Sequence, residues 1–297
     1  LRARAAIDSS GNVFAYEFLS RGFSRWAVQP NESQPKDSLA GQLMGLPLKS
    51  DDGFGVPAES YEFLHKRTGW ETIPPLLDRA SPLRSSHLRD PVGPQIHFAS
   101  ESFIDEVAAT LGVDPVELRF RDPKEPRNIA LVKAAVMKSG CVSRPSPRRD
   151  QSGNNVTGLR IAYAQLDGTR VAIVAEVDID RLSGRIWARK FTVAHDCGQI
   201  INPDGLTKTI EGNIVQGISR TLWEEVKFDN KNATSTDWVT YPILDITEAP
   251  QTIDVVLIER PDLAPTGSGE PSIRPVAAAI ANAIFDATGV RIRRVPF

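Results

Sequence analysis

Apolar positions change their spacing several times along the chain, and each change marks an element. Ala5-Ala6-Ile7-Asp8 and Val13-Phe14-Ala15-Tyr16 flank Ser9-Ser10-Gly11-Asn12, which predicts two strands joined by a tight turn. From Ala27 to Asp90 the periodicity fades. Pro30, Pro35, Pro47, Pro57, Pro74, Pro75 and Pro82 interrupt it, so continuous secondary structure is not expected there. The polar run Gln29 to Ser38 reads as a surface loop. Phe98, Phe103, Ile104, Val107, Ala108 and Leu111 then recur at helical spacing, and Gly112 closes the run. Asp114-Pro115 supplies an N-cap with proline at the first helical position, starting a short helix through Arg119. Pro126 opens another, with Ile129, Val132, Ala135 and Val136 on one face.

The segment Ser143 to Asn155, rich in Pro, Arg, Ser, Asn and Gly, reads as a boundary between a 1–150 and a 151–297 half. Beyond it, Val171 to Asp180 and Arg185 to His195 predict an antiparallel pair joined by Arg181-Leu182-Ser183-Gly184. Asn202-Pro203 opens a long helix striped by Ile210, Ile214, Val215, Ile218 and Leu222. A strand is expected over Thr252 to Glu259, a helix from Pro275 to Gly289, and a final strand over Val290 to Val295. Strands and helices mix without regular alternation, which predicts an α+β fold.

Composition narrows the functional classes. The 297 residues carry 35 Lys+Arg against 37 Asp+Glu, a net charge of −2 that gives no reason to expect a nucleic-acid partner. With 41% hydrophobic and 24% charged residues, the chain can bury a sizeable core. Two cysteines, Cys141 and Cys197, exclude a disulfide framework, a four-cysteine zinc site and an iron–sulfur cluster held by this chain alone. No signal-peptide pattern is visible, and the most apolar stretch, Pro275 to Ala287, is broken by Asn282 and Asp286 and too short to span a bilayer. The expectation is a soluble, processed or partial polypeptide, with cytoplasm and periplasm both open.

Pro265-Thr266-Gly267-Ser268-Gly269-Glu270-Pro271-Ser272 is the sharpest local feature. Its two glycines let main chain approach a ligand closely, and a carboxylate on such a turn has a fixed direction. An ordinary loop with a solvated glutamate would have the same pattern. A dinucleotide-binding turn is rejected: the third glycine position is Ser272, and no acidic ribose ligand stands about 20 residues on. His195-Asp196-Cys197-Gly198 invites a metal reading, but the other histidines, His65, His87 and His97, all lie in the first half. A strand end entering a glycine turn explains it better. Arg84 to Gln95 is a basic loop with glycine and proline. It could offer amides and an arginine to an anion, or simply be a rigid connector.

Taken together, these pieces resemble the molybdenum hydroxylases, the xanthine dehydrogenase/aldehyde oxidase superfamily. Arg89-Asp90-Pro91-Val92-Gly93-Pro94-Gln95 followed by Glu101 to Glu106 resembles one family signature. Asp196-Cys197-Gly198, Asn202-Pro203 and Ile210-Glu211-Gly212-Asn213-Ile214-Val215-Gln216-Gly217 resemble a second. Gly267-Ser268-Gly269-Glu270-Pro271, with Ala281 to Ile284 and Thr288-Gly289 behind it, resembles the third. Order and spacing agree from about residue 4 onward, nearest to the isoquinoline 1-oxidoreductase and nicotinate dehydrogenase type of molybdopterin-binding large subunit.

The resemblance implies a two-subdomain molybdopterin-binding fold, the second half bearing the catalytic glutamate. It implies an oxidoreductase that hydroxylates an N-heterocycle or aldehyde with water as oxygen source and Glu270 as general base. Molybdopterin, with its cytosine dinucleotide form left open, would be approached by Arg89, Gly93, Gln95, Gly212, Gln216, Gly267, Ser268 and Gly269. No protein metal ligand is implied. Partners would be the region or chain carrying the upstream cofactor loops, a [2Fe-2S] small subunit, and a cytochrome or flavin subunit.

Two departures qualify that picture. The family's upstream Gly-Gly-Gly-Phe-Gly and Gly-Gln-Gly loops have no counterpart, Asp51-Asp52-Gly53-Phe54-Gly55 being a poor imitation, and Thr209 stands where many relatives have glutamine. The chain therefore reads as the C-terminal part of a larger catalytic unit, active only with partner chains, or else as a non-catalytic remnant or interaction subunit. Glu101 and Asp105 read as helix caps and surface charges without a chemical role.

Overall fold

In the computed structural model of the protein, residues 1–23, 39–46, 60–73, 88–121 and 125–297 are described. The expected surface loop Gln29 to Ser38 lies outside them, as do Arg84 to His87 of the basic loop. The fold is α+β, with two mixed sheets and packed helices. Strands β1 (Arg2–Ile7) and β2 (Val13–Gly22) pair antiparallel across the expected turn, where the Asp8 carboxylate accepts the amides of Ser10 and Asn12 at 2.9 Å. A short helix α1 (Leu39–Leu43) follows, and strand β3 (His65–Thr72) then adds parallel to β2. The proline-rich region thus contains a strand that the hydrophobic pattern did not signal. Its sequence, His-Lys-Arg-Thr-Gly-Trp-Glu-Thr, is polar on both faces, and main-chain pairing rather than apolar burial fixes it.

Three helices follow: α2 (Gly93–Leu111), α3 (Pro115–Arg121) and α4 (Pro126–Ser139). Helix α2 begins ahead of the first periodic apolar residue, Phe98, because Pro94 fits its first turn. Asp114 caps α3 as expected, its carboxylate accepting the Val116 amide at 3.0 Å. The stripe of α4 runs through Asn128, Leu131, Val132 and Ala135, with Ile129 and Val136 on its margin.

The second half is organised by a four-stranded sheet in the order β4-β5-β6-β7. Strands β4 (Asn155–Leu166), β5 (Thr169–Asp180) and β6 (Ile186–Asp196) are antiparallel neighbours, and β7 (Thr252–Leu257) runs parallel to β6. Helix α5 (Pro203–Leu222) lies in the connection from β6 to β7, as a parallel crossover requires. The sequence pattern misses β4, because it is buried on both faces and lacks a clean alternation.

Side-chain alternation sorts the sheet between two cores. In β5, Val171, Ile173, Ala175, Val177 and Ile179 face α5 and helix α6 (Val276–Thr288). Ala172 and Val174 face the side occupied by α2, α3 and α4. Farther along that second face come Glu176 and Asp178, both paired with Arg189. Helix α6 is buried almost all round. It approaches β4 so closely that a Cβ on Gly158 would stand 1.8 Å from the Ala283 carbonyl oxygen. On α5, Ile210, Ile214 and Ile218 are fully buried, whereas Val215 points outward at 40% exposure, so it is not part of the stripe.

Two further expectations are corrected. Val290 to Val295 forms no strand. Its alternating arginines mimic a strand pattern, but they serve ion pairs to α2: Arg291 with Asp105, and Arg293 with Glu106. Glu101 and Asp105 are not surface charges, since both are fully buried. Glu101 receives Arg119 at 3.0 Å, the Tyr61 hydroxyl and the Tyr163 amide at 2.7 Å. Breaking such a buried pair on one side costs about 3–5 kcal/mol, so these charges hold α2 to α3 and β4. Among the described residues no helix is long and apolar enough to cross a membrane.

Candidate active site

Glu270 stands where three segments converge. The first is the turn 265–270, which leads into a 3₁₀ turn, Pro271–Ile273, and on to α6. The second is the loop 88–92 entering α2, and the third is the middle of α5.

The turn is anchored from below. The Thr266 amide donates to the Cys197 carbonyl at 2.8 Å, and the Thr169 hydroxyl donates to the Gly267 carbonyl at 2.7 Å. His195, at the end of β6, reaches Ser272 with Nδ1 (3.1 Å) and Ser268 with Nε2 (3.4 Å), one serine on each side of Glu270. Burial pushes this imidazole down to about 4, with the Asp196 charge only partly offsetting it, so the ring is neutral at pH 7. Asp196 faces away and is held by Arg127 and, at 3.2 Å, Arg260. Burial works against its charge, but the Arg127 hydrogen bond, the Gly198 amide and Arg260 together keep its carboxyl below the ordinary range. His195 and Asp196 are therefore both engaged within the fold. Among the described residues, no group of three or more His, Cys, Asp or Glu could hold a metal ion.

The upper surface of the turn is bare. The amides of Gly267, Ser268, Gly269 and Glu270 donate to no protein acceptor among the described residues. A Cβ built on Gly267 or Gly269 meets nothing within 4 Å, and neither does one on Gly212. From α5, the Asn213 amide group donates to the Gly269 carbonyl at 3.1 Å and the Thr209 carbonyl at 2.7 Å. Its Oδ1 is buried without a partner among the described residues. A cavity of about 270 Å³ opens here, bounded by Cys197, Asn202, Thr209, Thr266, Ser268 and Gly269. A row of free amides beside an orphaned carbonyl suits a ligand with both anionic oxygens and N–H donors. A phosphorylated pterin has that chemistry, and the residues present fit molybdopterin.

The loop side is built differently. Asp90 donates its amide to Glu270 Oε1 at 2.8 Å, while its own carboxylate is buried against Arg274 at 2.6 and 2.8 Å. Asp90 has φ 55° and Val92 φ 77°, a left-handed conformation that is costly for a β-branched residue. A Cβ on Gly93 would sit 1.9 Å from an Asp90 carboxylate oxygen, so only glycine leaves room for that carboxylate. His97 lies beneath. Its Nδ1 donates to the Gly93 carbonyl at 2.9 Å, and its Nε2 meets the Ser60 hydroxyl at 2.7 Å. Burial and the nearby Arg274 charge push this imidazole down to about 3.

The other expected residues divide between the two sides. Gly212 and Gln216 lie on α5 beside and three residues beyond Asn213, whereas Arg89 and Gln95 are exposed on the loop side. Gln95 borders a larger cavity of about 790 Å³, together with Leu88, Phe98, Arg220 and Ile273. Arg220 Nη1 donates to the Arg89 carbonyl at 3.0 Å; its Nε and Nη2 are buried without a partner among the described residues. Sequence reasoning gave no role to Asp90, Arg274, Asn213, Arg220 or His97. Asp90 and Asn213 stand inside quoted motifs, but nothing in the sequence marks Arg274 as the partner of a residue 184 positions away.

Residues 105–250 match the molybdopterin cofactor-binding domain family. The chain belongs to the molybdenum hydroxylases, as part of their molybdopterin-binding large chain. It is 35% identical to one of the subunits of nicotinate dehydrogenase from Pseudomonas putida, over 98% of this chain and 24% of that protein. It is 31% identical to the beta subunit of isoquinoline 1-oxidoreductase from Brevundimonas diminuta, over 74% of this chain and 28% of that protein. The chain thus spans about a quarter of the length of these curated relatives. The solved aldehyde oxidoreductase from Desulfovibrio gigas superposes with a TM-score of 0.71 over 99% of this chain and 47% of that one, at 18% identity, which establishes the shared fold.

Proposed function

We propose that this chain supplies the general base, Glu270, and part of the cofactor cradle of a molybdenum-dependent hydroxylase acting on an N-heterocycle or aldehyde. The observation that carries this reading is the half-tied carboxylate. Oε1 accepts the Asp90 amide, while Oε2 has no partner among the described residues, beside a turn whose amides are free. A carboxylate held by one oxygen keeps the other available to accept a proton in a fixed direction. The names of the similar proteins, a nicotinate dehydrogenase and an isoquinoline oxidoreductase among them, support the substrate class.

When bound, molybdopterin supplies the two-electron redox chemistry, with water as oxygen source. Gly267, Ser268 and Gly269 would present amides to its anionic oxygens, and Asn213 Oδ1 would accept one of its N–H groups. Gly212 and Gln216 would border it from α5. Arg89 and Gln95 would line the substrate side, and Gly93 would act by making room for Asp90. The remaining wall belongs to the portion of the relatives' length outside this chain. The nicotinate dehydrogenase and isoquinoline oxidoreductase relatives are each named as one subunit of an enzyme, which supports an assembly whose [2Fe-2S] centre and onward electron carrier sit on partner chains.

The test uses the enzyme assembled with its partners. Glu270→Gln is expected to keep molybdenum and lose turnover about 10²–10⁴-fold. Near-normal turnover removes Glu270 from the chemistry. Absence of molybdenum from the wild-type assembly would instead favour a non-catalytic subunit.

A further inference from the structure

We propose that the buried Asp90–Arg274 ion pair is a positioning device for Glu270, acting through the Asp90 main-chain amide. This rests on the reading of Glu270 as general base.

The pair is bidentate, at 2.6 and 2.8 Å, and both side chains are at least 94% buried. Arg274 also donates from Nη1 to the Gln165 carbonyl at 2.7 Å, which fixes the guanidinium to the end of β4. The carboxylate of Asp90 therefore has a rigid seat, and the residue is held at φ 55°. That conformation aims its N–H at Glu270 Oε1, 2.8 Å away. Without the tether, Asp90 relaxes toward ordinary backbone angles and the donor turns away, because a non-glycine residue in the left-handed region needs support from its surroundings.

The geometry closes on itself. Arg274 lies four residues after Glu270, on the far side of the 3₁₀ turn. The arginine that seats Asp90 and the glutamate that Asp90 orients thus move as one rigid piece. His97 secures the next residues of the loop by donating to the Gly93 carbonyl, and Ser60 links His97 to Gln165 through the Gln165 amide at 2.9 Å. Asp90 and Arg274 are positioning residues: their side chains bond to each other and to main chain, and neither side chain bonds to Glu270.

The experiment compares Arg274→Met, Arg274→Lys and Asp90→Asn, each alone and in a Glu270→Gln background, in the assembled enzyme with rates normalised to molybdenum content. Asparagine matches aspartate in size, so Asp90→Asn removes the charge from the tie with the least change of shape. Expected for Arg274→Met is a fall in kcat of about tenfold or more with KM changed less than about threefold, since misplaced catalytic groups slow turnover steeply. Arg274→Lys regains part of the loss, and Asp90→Asn falls between. In the Glu270→Gln background, single-turnover rates followed over hours drop less than about twofold further on adding Arg274→Met. Unchanged kcat in Arg274→Met or Asp90→Asn overturns the proposal. So does an equal fold-loss in both backgrounds, which marks a general structural effect. If Arg274→Met does not accumulate folded, Asp90→Asn decides by the same criteria. Near-normal turnover of Glu270→Gln alone refutes the general-base reading itself, a result that failed positioning does not produce.

Discussion

The turn 265–270 and the loop 88–93 meet at one carboxylate but are built on opposite plans. The turn holds on to the fold through the Thr266 amide, the Gly267 and Gly269 carbonyls and the Ser268 hydroxyl, and leaves the amides of residues 267–270 open. The loop turns the Asp90 charge inward, holds left-handed backbone at Asp90 and Val92, and offers Glu270 the Asp90 amide as donor. Free polar groups next to open space belong to a surface awaiting a ligand, and strain locked by a buried ion pair belongs to a scaffold. The difference predicts that damage to the turn lowers ligand retention, while damage to the loop lowers stability and turnover.

The carboxylate itself gives the largest effect: the loss of turnover expected in Glu270→Gln corresponds to about 3–5 kcal/mol of transition-state stabilisation. Next comes Gly93→Ala. The added methyl displaces the Asp90 carboxylate, so urea denaturation should show a loss of about 1–3 kcal/mol, with turnover falling alongside. An unchanged midpoint would mean the loop is softer than described.

Acid then probes both sides at once, through His97 beneath the loop and His195 beneath the turn. Each is neutral in the folded protein, at about 3 and about 4, against an ordinary 6.5. Below pH 6.5 the unfolded chain binds protons that the folded protein refuses, so stability falls as pH falls through that window. By pH 5 the loss is about 2 kcal/mol per histidine. In His97→Gln, the slope of unfolding free energy between pH 7 and 5 should flatten by about half. An unaltered slope would show that His97 is protonated inside the fold. The smallest expected effect on stability is that of Gly269→Ala, within about 0.5 kcal/mol of wild type, because its Cβ enters open space. Its molybdenum content should nonetheless fall. Full retention of molybdenum would move the cofactor away from this turn.

Legibility in the sequence followed the same divide. Helices with one apolar face, such as α5, and strands between clear turns, such as β5 and β6, show their period directly. Strand β4 is apolar toward both cores and β3 is polar on both faces, so neither alternates. Val290 to Val295 alternates for electrostatic reasons and imitates a strand. At the site, the Gly-Ser-Gly-Glu turn was readable because its glycines and carboxylate are adjacent in sequence. The Asp90–Arg274 tie was not, since a buried ion pair between distant residues leaves no local pattern.

Helix α6 has a consequence for how the molecule opens. It contributes Val276, Ile280 and Ala283 to one core, while its Asn282 donates to the Ile161 carbonyl at 3.2 Å and accepts from Arg291 at 3.1 Å. Its Asp286 gathers Arg144 and Arg160 at 2.7 and 2.8 Å. No subset of these elements can detach without exposing it. In native-state hydrogen exchange its amides should therefore be among the last to exchange, together with those of β4, in one cooperative unit. Glu270 leads into the N-terminal end of that unit, so the carboxylate proposed as general base is carried by a segment expected to be among the last to open.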